Sequence, residues 1–313
     1  MLLCVTPSPA IDRTARVPRL AFDTILRPTA VAALPGGKGI NCGRAALRLG
    51  ALVCTTGLAG GHAGRWLVEG LEREGLSPRF VDVVPETRTT YVTVDERGRS
   101  VMVYEPAAAL TPGDLDRLLL LLRDELLPGS RRVVLAGSLP PGVGEDGVGR
   151  LVAACREASV PVLVDTGGAA LRAAVEARPD LVKVSLAEAV AAGFGGSGGA
   201  PGAAQALAAA GVGLAIVTDG PRGASAATTG SSWSVEVPRL VATNAVGSGD
   251  AFNAGLCVAL DAGATVEEAL AMGAAAGTAN VEAMTAGMVD ERRVNELLPR
   301  IVVRRMTSRQ TRR

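Results

Sequence analysis

The 313-residue sequence contains a single histidine, His62. A histidine-rich metal site is thereby excluded, and a Ser-His-Asp triad is excluded unless His62 is its base. Aromatic residues make up 3% of the chain, too few for a base-stacking platform or a carbohydrate-stacking surface. Neither sign of charge dominates, with 32 basic against 31 acidic residues and a net charge of +1. Such a chain projects no field that would draw nucleic acid or an anionic membrane. It has no apolar run of the roughly 18 residues that a membrane span requires. The Met1–Val5 start reads as too short and uncharged for a secretory signal. The five cysteines (Cys4, Cys42, Cys54, Cys155, Cys257) form no CxxC pair. Their odd number and apolar neighbours fit buried thiols in a reducing cytoplasm better than disulfides or zinc ligands.

Apolar residues, at 48%, suffice for one large core or a core with a small subdomain. Short β-branched runs alternate with alanine- and leucine-rich stretches of helical period. Strands are predicted at Leu2–Thr6, Leu52–Gly57, Arg132–Ala136, Val160–Asp165, Leu181–Val184 and Leu214–Thr218. Helices are predicted at Ile40–Leu49, Arg65–Glu74, Asp146–Ala158, Ala169–Glu176, Gly202–Ala210, Asp250–Asp261, Val266–Asn280 and Glu291–Leu298. This alternation implies an α/β fold with a mainly parallel sheet covered on both faces, and ligands bind such sheets at the strands' carboxyl ends. Two segments break the pattern. Residues 11–34 have mixed polarity and no helical period, and residues 88–104 read as a hairpin around an Asp95–Arg99 turn. Together they are expected to form a small β lid. The core would then comprise residues 1–10, 35–87 and 105–300, followed by a frayed, arginine-rich tail at 301–313.

Several motifs carry chemistry. Gly247-Ser248-Gly249-Asp250 lies between a turn and an apolar helix. Its glycines let the backbone approach a ligand, and successive amides at a helix start bind anions. Asp250 beside such a site makes sense as a base that takes a proton from a hydroxyl attacking a bound phosphoryl group. It is equally explained as an acidic residue favoured near a helix start. Pro35-Gly36-Gly37-Lys38-Gly39-Ile40-Asn41 brings a charge and an amide to one helix start. It is not a Walker A loop, because no Ser or Thr follows the lysine. Gly193–Gly198 matches GxGxxG by letter but follows a helix, so it reads as a flexible loop. Asp12 at the end of the first strand suits sugar hydroxyls or a turn. Arg88 and Arg27 are candidates for a phosphate ester. Ser138 lies in the rigid Gly137–Gly142 loop, a candidate pocket wall.

Taken together, Pro9–Asp12, Gly36–Asn41, Thr87-Arg88, Gly137–Gly142 and Gly247–Asp250 make the chain resemble the ribokinase-like sugar kinases, specifically the phosphofructokinase B branch. The likeness runs from residue 4 to about residue 290, and the order and spacing of these short motifs make it specific. It implies a three-layer α/β/α sandwich with a β-sheet lid that often also supplies a dimer interface. It implies ATP and Mg²⁺ as cofactors, no nucleic-acid or membrane partner, and phosphorylation of a phosphorylated ketohexose. Fructose 1-phosphate is the favoured substrate, with fructose 6-phosphate or tagatose 6-phosphate as alternatives.

By the same resemblance Asp250 is the catalytic base, and the Gly247, Ser248 and Gly249 amides face the transferring phosphoryl group. Asp12, Gly37 and Asn41 hold sugar hydroxyls, Ser138 lines the sugar pocket, and Lys38, Arg88 and Arg27 cradle the substrate's own phosphate. Lys183, Ser185, Glu188, Thr218, Gly220, Gly223 and Asn280 lie on the nucleotide side, with Glu188 reaching magnesium through water. The chain departs from the family pattern at Ser185, which replaces an asparagine that organises magnesium and phosphate, so weakened activity is expected. It departs again at Thr90 and Ser8, on the sugar side. Two other readings remain: a kinase of an unphosphorylated sugar or nucleoside, and a non-catalytic sugar-phosphate or nucleotide sensor.

Overall fold

The structure, a computed structural model, describes residues 1–144, 146–195 and 198–306. In chain order the elements are β1 (Leu2–Thr6), β2 (Ala10–Val17), β3 (Ala30–Gly36), α1 (Lys38–Arg48), β4 (Val53–Gly60), α2 (Gly61–Arg73), β5 (Ser77–Pro78), β6 (Val81–Val83), β7 (Thr89–Asp95) and β8 (Ser100–Tyr104). There follow α3 (Pro112–Leu121), β9 (Arg132–Ala136), α4 (Gly147–Glu157), β10 (Val162–Asp165), α5 (Gly168–Glu176), β11 (Leu181–Ser185), α6 (Leu186–Ala191), α7 (Gly199–Ala209) and β12 (Leu214–Thr218). The chain closes with β13 (Ala224–Ala227), β14 (Ser232–Glu236), α8 (Ser248–Asp261), α9 (Val266–Asn280), α10 (Glu291–Leu297) and β15 (Val302–Met306).

Eleven strands form the main sheet, in the order β15-β14-β13-β12-β11-β10-β9-β1-β4-β5, with β6 also on β4. The pairings from β12 through β4 are parallel, and β13, β14 and β15 add antiparallel strands at one edge. Period-two alternation splits the strands' apolar side chains between two cores. Leu3, Val5, Val133, Leu135, Val182 and Val184 enter one, packed by α3 to α7. Leu2, Cys4, Val134, Leu163 and Leu181 enter the other, packed by α1, α2, α8, α9 and α10. The fold is thus the expected α/β/α sandwich. Helices α8 and α9 approach closely because Gly255 meets the Met272 carbonyl and Gly277 meets that of Ser248. A Cβ at either would lie within 2.6 or 2.9 Å of those oxygens.

The alternation also fixes where polar groups point. Asp165 follows Leu163 by two residues, and Lys183 follows Leu181 by two. Both therefore face the α1/α8 side, Asp165 as the last residue of β10 and Lys183 at the middle of β11.

A second sheet, β3-β2-β7-β8, stands apart from the first. The 88–104 hairpin is β7 and β8, turning at Asp95–Arg99, where the Asp95 carboxylate accepts from the backbone of Arg97 and Arg99. Residues 11–34, which show no helical period, supply β2 and β3. The 301–313 tail does not fray from its start. Val302–Met306 pairs with β14 as an edge strand, held by backbone register that the arginine-rich sequence does not advertise. Residues 307–313 lie outside the described residues. So do Gly196 and Ser197 of the Gly193–Gly198 run, whose described part joins α6 to α7. Among the described residues no helix is long and apolar enough to cross a membrane.

Candidate active site

One cleft of about 2110 Å³ runs between the lid and the carboxyl ends of the main sheet. Its floor is made by two helix N-termini on the same side of the sheet. Helix α1 starts after Gly37, whose φ of 111° lies in the region that favours glycine. Asn41, one turn in, donates from Nδ2 to Asp250 Oδ2 at 3.0 Å. The buried Arg44 holds that amide by donating to Asn41 Oδ1 at 3.0 Å. Helix α8 starts after Gly247, in the left-handed region at φ 84°. No side chain caps it, so its first-turn amides have no intrahelical acceptor. The buried Ser248 hydroxyl has no partner either.

A buried polar network lies beneath. The fully buried Asp165 carboxylate ends β10. Its Oδ2 accepts from Lys183 Nζ at 2.6 Å and from Asn253 Nδ2 at 2.7 Å. Its Oδ1 accepts from Lys38 Nζ at 2.7 Å. The Lys38 ammonium also meets Glu188 Oε1 at 2.7 Å. Glu188 Oε2 is taken by the Ser185 amide at 2.8 Å and the Ser185 hydroxyl at 2.7 Å, while Ser185 Oγ accepts from the Glu188 amide. This reciprocal capping box starts α6. The serine at 185 therefore has a definite local task, which is to pin Glu188. The Lys183 ammonium also lies against the α8 backbone. A Cβ at Gly249 would fall 2.5 Å from Nζ, so any side chain there would have to displace the ammonium.

The charges respond accordingly. Burial would raise the Asp165 carboxyl, but the Lys183 and Lys38 ammoniums outweigh it and hold it well below the usual range. Glu188 is lowered too, Lys38 overcoming burial. Lys38 is held above its ordinary value because Asp165, Glu188 and Asp250 together outweigh its burial. Asp250 goes the other way and is pushed up to about 6. Burial is the main cause and the neighbouring Asp165 charge the next, against the opposing pull of Lys38, Lys183 and the Asn41 hydrogen bond. Two carboxylates with opposed shifts, a few residues from a helix-start anion site, make a proton acceptor beside a stable cation holder.

On the lid side, Asp12 and Thr90 face each other in the β2–β7 register, and Thr90 Oγ1 donates to Asp12 Oδ1 at 2.6 Å. Burial raises the Asp12 carboxyl in spite of that bond. Arg88 lines the cleft; its Nη1 reaches the Glu105 carbonyl at 3.4 Å, and its buried Nε has no partner. Gly37, Ser138, Thr218, Gly220 and Gly223 line the same cleft.

Two expected residues are elsewhere. Arg27 is exposed on the β2–β3 connection and does not line the cleft. Asn280 is fully buried and also off the lining. Its Nδ2 donates to the Val246 carbonyl and its Oδ1 accepts from the Gly287 amide, so it braces the loop that leads into α8. Lys38 lines the cleft but is engaged by two carboxylates, an arrangement the sequence reading did not foresee. Asp165, Asn253 and Arg44 were missed. The signal for Asp165 was available, as an acid at the carboxyl end of a predicted parallel strand. Asn253 carried none, because its partner Asp165 lies 88 residues away. Arg44 stands one helical turn after Asn41, but its burial against Glu74 and the Pro35 and Ala286 carbonyls comes from the fold.

The Asp250 environment has a consequence for stability. Its ordinary carboxyl value is 3.8 and its folded value about 6. Between those values the unfolded chain has released the proton and the folded protein keeps it, so stability falls as pH rises through that window. Asp250→Asn is expected to raise stability by about 1–3 kcal/mol above pH 6 and to lose that gain toward pH 4. Thermal unfolding at pH 4 and pH 7.5 measures it, and an equal effect at both values contradicts the assigned environment.

Comparison with known proteins is consistent with this geometry. The family model described as pfkB family carbohydrate kinase matches residues 2–291. A 1-phosphofructokinase of Rhodobacter capsulatus is 34% identical over 269 residues, 84% of this chain and 85% of that protein. A possible 1-phosphofructokinase of Thermotoga maritima superposes with a TM-score of 0.86 at 26% identity, covering 98% of this chain and 100% of that one. Phosphofructokinase-2 of Escherichia coli in complex with fructose-6-phosphate superposes with a TM-score of 0.83 at 27% identity, covering 96% and 98%. The chain belongs to the pfkB family of carbohydrate kinases.

Proposed function

We propose that this kinase transfers the γ-phosphoryl group of ATP to a phosphorylated ketohexose, with fructose 1-phosphate as the favoured substrate. The observation that carries the reading is the pairing of Asp250, pushed up to about 6, with an uncapped helix start against which the Lys183 ammonium rests. The curated relative described above is named a 1-phosphofructokinase, which favours fructose 1-phosphate over the 6-phosphates.

Asp250 takes the proton of the attacking hydroxyl, and Asn41 holds the carboxylate that does so. The Gly247–Gly249 amides and Lys183 face the charge that develops on the transferring group. Asp12 and Asn41 orient the sugar hydroxyls. Arg88, with a buried Nε that lacks a partner, and Lys38 receive the phosphate the sugar already carries. Thr218, Gly220 and Gly223 border the nucleotide, and Ser138 the sugar. The lid strands exclude water, so that the sugar and not water is phosphorylated. The residues fit a magnesium ion: hard carboxylate oxygens of Asp165 and Glu188 converge on one point, now marked by the Lys38 ammonium. Asp165 and Glu188 would hold the ion there, Glu188 directly or through a water. The ion's chemistry there is to neutralise charge on the phosphates. Lys38 and Arg88 in one cleft argue against a neutral sugar or nucleoside, and a pure sensor needs no base at 250.

The partner proposal concerns the lid. On the face of the second sheet turned away from the cleft, Val31, Tyr91, Val101 and Val103 are exposed, and among the described residues β8 leaves an unpaired edge. A second copy of this chain would cover that apolar face.

An ADP-release assay with Mg²⁺ across fructose 1-phosphate, fructose 6-phosphate, tagatose 6-phosphate, fructose, ribose and adenosine tests the function. Turnover confined to a phosphorylated ketose is expected, with kcat/KM falling as pH drops below about 6. Asp250→Asn should lower kcat by roughly 10²–10⁴-fold, and near-full kcat in that variant would remove the base assignment. Arg88→Ala should raise KM for the sugar phosphate far more than for an unphosphorylated sugar; equal effects would undo the phosphate assignment. Sedimentation velocity should show a dimer that Val103→Glu converts to monomer, and a monomeric parent chain would dismiss the lid interface.

A further inference from the structure

The position of Lys38 is more specific than a phosphate-cradling lysine requires. Its ammonium sits 2.7 Å from Asp165 Oδ1 and 2.7 Å from Glu188 Oε1. Those two carboxylates come from different elements, the end of β10 and the first turn of α6. Each has its other oxygen committed. Asp165 Oδ2 is held by Lys183 and Asn253, and Glu188 Oε2 by the Ser185 amide and hydroxyl. The remaining oxygens are thereby aimed at a common point, whatever cation stands there.

Two carboxylate oxygens converging on one point suit magnesium, which takes one or two protein carboxylates and completes its shell with water and substrate phosphates. Among the described residues no group of three His, Cys, Asp or Glu converges as a self-sufficient metal cage. The Asp165–Glu188 pair is what the protein offers, and the lysine is on it. An ammonium and a divalent cation cannot share that point, because like charges at contact in a buried setting repel strongly. Of the three side chains Lys38 is the one free to leave. Asp165 is fully buried and Glu188 is pinned by its capping box. Lys38 has a flexible four-carbon stem on the first residue of α1, its side chain is 34% exposed, and it lines the cleft together with Arg88.

We propose that Lys38 occupies the divalent-cation position between Asp165 and Glu188, and that the phosphate of the sugar substrate vacates that position by drawing the ammonium onto itself. This rests on the sugar-phosphate kinase reading above. It makes the substrate a condition for metal loading: the phosphate gains a cation partner, and the carboxylate pair gains room for its own. By linkage the coupling is reciprocal, so each ligand tightens the other by the same factor. The arrangement also gives Ser185 a part in the coupling. As the positioning residue for Glu188, it keeps the second oxygen on the shared point with Lys38 in place or withdrawn.

The test measures binding, without turnover. Mn²⁺ binding to the full chain is followed by electron paramagnetic resonance, with and without fructose 1-phosphate and without nucleotide. In the parent protein fructose 1-phosphate should tighten Mn²⁺ about tenfold or more, within the usual range for coupled sites. Calorimetry should show Mn²⁺ tightening fructose 1-phosphate by the same factor. Lys38→Met should bind Mn²⁺ about tenfold more tightly than the parent with no sugar phosphate present. Adding Asp165→Asn, or Glu188→Gln where the first does not fold, should abolish that gain and so locate the ion. If Lys38→Met binds Mn²⁺ no more tightly than the parent, the proposal is overturned. Tightening by sugar phosphate in the parent without a gain in Lys38→Met also overturns it, because the coupling then runs through another group. Should fructose 1-phosphate fail to bind by calorimetry, the substrate reading falls. The Lys38→Met comparison uses no sugar phosphate and still decides whether Lys38 occupies the cation position.

Discussion

The site is organised around one buried carboxylate. Asp165 is wholly removed from solvent yet stays ionised, because two ammoniums and an amide share its oxygens. A buried charge is tolerable only when its partners recover the cost of desolvation, and removing one partner of such a group typically costs about 3–5 kcal/mol. The cluster therefore fixes four elements relative to each other: Lys38 on α1, Asp165 on β10, Lys183 on β11 and Asn253 on α8. The two helix starts that make up the floor of the cleft are tied to the sheet through this one side chain.

The same carboxylate sets the chemistry of its neighbour. Asp250 lies close enough to feel the Asp165 charge, and burial has already disfavoured its ionised form. One acid is thus kept strongly acidic by cations, and the other is lifted toward neutrality. A proton acceptor near 6 suits a reaction run at neutral pH: it is mostly ionised, yet basic enough to share a hydroxyl proton in the transition state. Holding Asp250 ionised in that buried setting costs stability, which is the reason a neutral amide there should fold more firmly.

Ser185 illustrates how a departure from a family pattern acquires meaning only in three dimensions. From the sequence it reads as a lost amide on the nucleotide side. In the fold its hydroxyl and backbone amide both hold Glu188, so the carboxylate is oriented by the start of α6 itself. Thr90 behaves similarly, supplying the hydroxyl that holds Asp12 across the β2–β7 register. In each case a shorter side chain finds a local partner that the linear pattern did not name.

The order of the chain determined a great deal by itself. Short, continuous β-branched apolar runs alternating with helical stretches dictate a parallel sheet with helices on both faces, because only that arrangement buries both faces of such strands. Four of the strand and helix spans, Leu2–Thr6, Arg132–Ala136, Leu214–Thr218 and Val266–Asn280, fall on the same residues in the structure. Glycines at 37 and 247 mark the two helix starts, since their backbones need conformations that side chains disfavour. What remained hidden depends on contacts between residues far apart in the chain. The β13–β15 edge is set by pairing register, which the small residues of Ala224–Ala227 do not announce. Arg27 and Asn280 have the right residue types and sequence neighbourhoods, but the tertiary path carries one away from the cleft and spends the other on a loop. Lys38, read as a phosphate ligand, meets Asp165 and Glu188 across 127 and 150 residues. Only the folded chain could put one ammonium between those two carboxylates, because sequence spacing carries no information about where one strand and two helices converge.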